Sequence, residues 1–156
     1  MTWLVVRVRS DVGVQRTIKE TMHLLNLTRV NHAVLVPEND KYKGMLHKAK
    51  DYITWGEVSE ATINNLISER GRLAGDKRID DAVVKDNSEF KDVAGLSKAI
   101  AAGDATVKDV AGMKRVFRLH PPRGAKGWGG IKRSFRVGGA LGPRGDEIEA
   151  LVVRMM

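Results

Sequence analysis

Cysteine is absent from this chain of 156 residues. Disulfides, thiolate metal sites and a cysteine nucleophile are therefore excluded, and the composition fits a reducing compartment. Apolar runs such as residues 3–6 and 33–36 are far shorter than the roughly 20 residues that a membrane-spanning helix needs. The amino-terminal residues enter a strand pattern at once and show no signal-peptide pattern, so a cytoplasmic protein with no membrane partner is expected. The marks of catalysis are also missing. His23, His32, His47 and His120 lack zinc-protease spacing, and no dense acidic cluster suggests a magnesium or calcium cage. The glycines at 124, 127, 129 and 130 are not followed by Gly-Lys-Ser/Thr and are not preceded directly by an apolar strand, which leaves a nucleotide loop without support. Neither an enzyme, a cofactor nor a small-molecule substrate is expected.

The most telling absence is local. Residues 114–145 contain no Asp or Glu, yet they hold nine Lys or Arg, eight Gly and three of the four Pro. The rest of the chain carries 18 basic and 19 acidic residues, so the whole net charge of +8 arises in this one stretch. Gly and Pro at such density disfavour helix and central strand alike. The stretch reads as an extended basic loop with no core of its own, ordered by a polyanion such as a phosphate backbone.

The remaining sequence has ordinary periodicities. Residues 2–9 (TWLVVRVR) alternate as a strand, with Leu4, Val6 and Val8 on one face and Trp3, Val5, Arg7 and Arg9 on the other. Arg7 and Arg9 serve either solvation or a second phosphate contact. Residues 14–25 place Val14, Ile18, Met22 and Leu25 at helical spacing, and residues 32–37 (HAVLVP) form a second strand. Over residues 41–50 an apolar stripe backs a face of Lys41, Lys43, His47, Lys48 and Lys50, which is either a solvated surface or a nucleic-acid contact. Residues 51–58 (DYITWGEV) are rich in β-formers. Strand, helix, strand, helix, strand in 58 residues predicts an α+β, ferredoxin-like (split βαβ) core.

A helix starting at Ser59 and another through Val93, Leu96 and Ile100 make residues 59–113 a helical extension packed on that core. The net charge of −3 over residues 57–113 does not seek phosphate. The basic loop then spans 114–145, and residues 146–156 place Ile148, Leu151, Val152 and Met155 on one face of a docking helix.

Within the loop, Arg118, Arg123, Arg133, Arg136 and Arg144 offer planar forks to phosphate oxygens, while Lys126 and Lys132 act as point charges. Trp128 either stacks on a splayed base or anchors the loop to the body. A general nucleic-acid-binding protein, an RNA-modifying enzyme and a module for an acidic protein partner are the competing readings. Duplex-DNA competition and turnover of an RNA substrate separate the first two from a structural RNA binder.

Four motifs in order narrow these readings. NHAVLVPENDKYKG at 31–44, DYITWGE at 51–57, RLHPPRG at 118–124 and GGALG at 138–142 resemble the large-subunit ribosomal protein family L-thirty in its archaeal form, over essentially the whole chain. The resemblance implies a ferredoxin-like core and a structural role in the ribosome. It implies binding to 23S ribosomal RNA near 5S ribosomal RNA, beside neighbouring large-subunit proteins. RNA contact carries over to Arg118, His120, Arg123 and Gly124, and a second surface to Asn31, His32, Lys41 and Lys43.

Overall fold

Three adjacent strands, β1 (Thr2–Arg7), β2 (His32–Pro37) and β3 (Ile53–Glu57), form the centre of the molecule in a computed structural model that describes residues 1–124 and 126–156. β1 lies between β2 and β3 and is antiparallel to both, so β2 and β3 run parallel to each other with a strand inserted between them. Helix α2 (Asp40–Lys48) connects that parallel pair. This is the split βαβ unit expected from the first 58 residues. Helix α1 (Arg16–Leu24) lies beside α2, and the two cover one face of the sheet. Their core gathers Val5, Val34, Val36 and Ile53 from the strands against Met22, Leu25, Leu27, Leu46 and Ala49.

The period of two sends Leu4, Val6 and Ala33 to the opposite face. There they meet α3 (Glu60–Arg70), α4 (Asp81–Asn87), α5 (Val93–Ala102) and α6 (Glu147–Met155). The sheet therefore lies between two helical layers, and its central strand is buried on both sides. Caps set the starts of these helices. The Asn39, Asp80 and Asp92 side chains accept from the backbone N–H of Tyr42, Val83 and Gly95. Gly103, in the left-handed region at φ 88°, closes α5. Ser59 precedes α3 without a side-chain cap; its N–H instead donates to the Glu149 carboxylate on α6, tying the two helices together.

Two short strands complete the sheet. β4 (Phe117–Arg118) pairs antiparallel with β2, and β5 (Gly142–Pro143) pairs parallel with β3. The order is β4-β2-β1-β3-β5, so the basic stretch leaves the sheet at one edge and rejoins it at the other. Four interstrand gaps of about 4.8 Å separate those edges by roughly 19 Å.

Candidate nucleic-acid interface

The basic stretch is a strap with its own packing, which corrects the expectation of a loop lacking any core. Phe117 is fully buried in the main core and fixes the start. The Leu119 N–H donates to the Asn31 carbonyl (3.2 Å), and the His120 N–H to that of Met155 (2.9 Å). Arg123 and Arg154 then lock α6 to the strap: the Arg123 N–H donates to the Arg154 carbonyl, and Arg154 Nε returns a bond to the Arg123 carbonyl at 2.8 Å. A second amino group of Arg154 donates to the Gly127 carbonyl.

Further along, Ala140 and Leu141 pack with Val8 and half-buried Trp128 in a small satellite core. Trp128 also touches the main core, which makes it an anchor of the strap. The chain folds back on itself here, with the Ala140 N–H donating to the Gly130 carbonyl and the Phe135 N–H to that of Leu141. Gly139 is required at this fold because a Cβ would collide with the Arg133 carbonyl. Gly and Pro density thus signals tight turns rather than lack of order.

Where the candidate residues lie decides what they can do. Arg123, Lys126, Lys132, Arg133 and Arg136 are exposed, and among the described residues none of them is in an ion pair. Cations without local partners keep their field available to a phosphate backbone. His120 and Gly124 are exposed beside them, with Gly124 at φ 117° where a side chain is strained. Arg118 is also exposed but faces Asp76 at 3.6 Å.

Arg144 differs. Its Nε donates to the Thr54 hydroxyl (3.1 Å), an amino group donates to the Ala140 carbonyl (3.0 Å), and its guanidinium lies 4.4 Å over the Phe135 ring. Burial lowers its pKa, with Arg154 adding to the effect and Glu147 opposing it. These bonds staple the strap to β3, so the expectation of a free phosphate fork at Arg144 is corrected. Arg7 receives the same correction. It is buried at 3% exposure, donates to the Arg9 and Leu27 carbonyls and pairs with Asp11 at 3.3 Å. Arg9 is half-buried, donates to the Asp51 carbonyl and stacks on Tyr52 at 5.2 Å.

The two surfaces read separately in the sequence meet at one sheet edge. His32 is the register partner of Arg118, and Asn31 is bonded to Leu119. Asn31 sits at φ 67°, where its short polar side chain is tolerated, and its N–H donates to the Arg7 carbonyl. His32 Nδ1 lies 3.2 Å from the Thr28 hydroxyl. Burial depresses the His32 pKa, and the charges of Arg118, Arg29 and Arg7 depress it further. Exposed Arg115, which lines the same cleft as His32 and Arg118, and exposed Arg29, whose charge acts on His32, enlarge this patch. No sequence signal identifies them until β4 is known to pair with β2. Lys41, Lys43, His47 and Lys48 are exposed on α2. Because α2 returns toward the start of β3, His47 and Lys48 approach the strap's end of the sheet, whereas Lys41 and Lys43 lie at the opposite end.

The family described as "Ribosomal protein L30p/L7e" matches residues 3–53, the span from β1 to the start of β3. Over its full length the chain is similar to proteins named "Large ribosomal subunit protein uL30". It is 49% identical to that of Methanosphaera stadtmanae over 154 residues, covering 99% of each chain. It is 49% identical to that of Methanococcus vannielii over 156 residues, covering 100% of each. The Methanobrevibacter smithii protein is 45% identical over 154 residues, again 99% of each.

Proposed function

The chain belongs to the ribosomal protein L30p/L7e family and is a structural protein of the large ribosomal subunit, not an enzyme; from that premise we propose that it binds 23S ribosomal RNA through the strap and the Arg118–His32 edge, near 5S ribosomal RNA and neighbouring large-subunit proteins in the cytoplasmic ribosome. One observation carries the reading: an acid-free strap pinned at both edges of the sheet, with Arg123, Lys126, Lys132, Arg133 and Arg136 exposed and outside any ion pair among the described residues.

Pre-ordering lowers the entropy lost on docking, and the exposed cations supply the attraction. Selectivity comes from RNA shape and 2′-hydroxyls, since the strap lacks Asn and Gln for reading base edges and its tryptophan is engaged with the protein. His47 and Lys48 at the end of α2 extend the surface, and Lys41 and Lys43 form a separate, outlying part of it.

The test is binding of the purified chain to deproteinised large-subunit RNA across a salt series, with duplex DNA as competitor. Neutralisation of about six phosphates gives a log-log slope of roughly −4 to −5. Charge reversal at Arg123 and Arg133 together is expected to weaken binding at least tenfold and flatten the slope by about two, with the thermal transition nearly unchanged. Equal affinity for duplex DNA and RNA would overturn the proposal.

A further inference from the structure

Beside the Arg118–His32 edge lies a second cleft, between the first residues of the basic stretch and the helical extension. Its walls are Arg70, Arg72, Lys114, Val116 and Arg118, and one carboxylate, Asp76, stands among these four cations. Asp76 is carried on a turn over residues 72–78. The Asp76 N–H donates to the Leu73 carbonyl, the Leu73 N–H to that of Lys77, and the Lys114 N–H to that of Arg72. Residues 72 and 78 bridge each other, and residue 73 bridges Met113, so the turn is fastened to the segment entering β4. Gly75 and Asp76 both have positive φ, at 82° and 60°.

The geometry around the carboxylate resembles what a phosphate receives. One oxygen of Asp76 accepts from Lys114 Nζ, and the other faces an amino group of Arg118 at 3.6 Å. Arg72 adds a third positive charge, and with the Lys114 hydrogen bond as the largest cause these cations hold the Asp76 carboxyl below its ordinary range. Across the cleft, an amino group of Arg70 donates to the Met156 carbonyl, while its buried Nε has no partner among the described residues. The ion pairs are open to water, with side-chain exposures of 58% for Asp76, 34% for Lys114 and 64% for Arg118. Pairs so exposed hold weakly and exchange readily.

We propose that this cleft is a phosphodiester-binding site of the RNA surface, occupied in the free protein by the Asp76 carboxylate, which an RNA phosphate displaces to reach Lys114 and Arg118. The proposal rests on the RNA-binding reading above and adds a site at the strap's entry, where Arg70 and Arg72 join Lys114 and Arg118, together with a built-in competitor. Asp76 tempers a basic edge that would otherwise take any polyanion, so only an RNA already held by the strap brings a phosphate close enough to exchange. The carboxylate then turns toward solvent.

The experiment compares the full-length chain with its Asp76→Asn, Lys114→Gln and Asp76→Asn/Lys114→Gln variants, each titrated with deproteinised large-subunit RNA across the salt series, beside a thermal melt. Asparagine tolerates the left-handed backbone at this position, so the fold is kept while the charge is removed. Asp76→Asn is expected to tighten binding about threefold to tenfold at low salt, Lys114→Gln to weaken it, and the double variant to lose the gain; each cation contact contributes roughly 0.7–0.9 to the slope. Unchanged or weaker RNA binding by a normally melting Asp76→Asn chain overturns the site while leaving the strap reading intact. Absence of RNA preference in the unmodified chain overturns both.

Discussion

Arg7, Arg144 and Arg133 carry the same guanidinium into three environments. Arg7 is enclosed and fully employed in joining the end of β1 to the residues after α1, Arg144 staples the strap to β3, and Arg133 is exposed and unpaired among the described residues. Only the last offers its donors to a ligand. His32 shows how such crowding acts on a titratable group. Burial first, then Arg118, Arg29 and Arg7, favour its neutral form in the folded chain. A histidine with a depressed folded pKa binds more protons when unfolded, so its contribution to stability is complete above the ordinary value of 6.5 and is lost as pH falls from there through the folded pKa. Melting temperature is expected to fall on acidification from pH 7 to about pH 5 more steeply in the unmodified chain than in His32→Gln. The depressed carboxyls of Asp11, Asp76 and Glu149 titrate below their ordinary 3.8, 3.8 and 4.5, outside that window. Equal slopes in the two proteins would assign the loss elsewhere. Much of this residue-level detail was hidden in the sequence. Alternation placed Arg7 on the face of buried Val5, a sign of burial that its charge obscured, whereas the bond from Arg144 to Thr54 depends on a strand pairing that no local pattern announces.

Among elements, the strap depends on α6. That helix grips His120, Arg123 and Gly127 through the Met155 carbonyl and Arg154, holds α3 through Glu149, and places Ile148 against β3 at Gly56. A Cβ at Gly56 would strike the Gly145 carbonyl and would stand 2.9 Å from Ile148 Cβ. Gly56→Ala is therefore expected to cost about 1–3 kcal/mol and lower the melting temperature by roughly 3–10 °C, with a parallel loss of RNA affinity as α6 loosens. A melt that matches the unmodified chain would show that the helix has room to shift. β1 to β3, α1 and α2 were legible because period two and the helical apolar stripe are local signals. α4 was not singled out, although Asp80 before Asp81-Ala82-Val83-Val84 is a capping signal. The order within the strap was hidden because it is made of contacts to Val8, Thr54, Met155 and Arg154, all distant in sequence.

For the molecule as a whole, the strap is both the proposed binding surface and part of the sheet. Replacing Lys126, Lys132, Arg133 and Arg136 together by Gln removes charge from exposed positions, and the melting temperature is expected to stay within about 2 °C. Excising residues 124–142 removes Ala140 and Leu141 from their core and Gly142 from its place beside Thr54, and is expected to lower the transition by more than about 10 °C or to prevent folding. Similar melts for the two variants would mean that the strap's packing adds nothing to stability. The same pairing also orders events in time. Thr54 and Gly142 are 88 residues apart, and beside the grips from Val8 and Asn31 the strap is held by residues 154 and 155. The pairings of β1 to β3 are close in sequence and can close early in folding, while the strap is fully gripped only once α6 has docked. On this topology the sheet is expected to form before the strap, so the proposed RNA surface is among the last parts of the molecule to be completed.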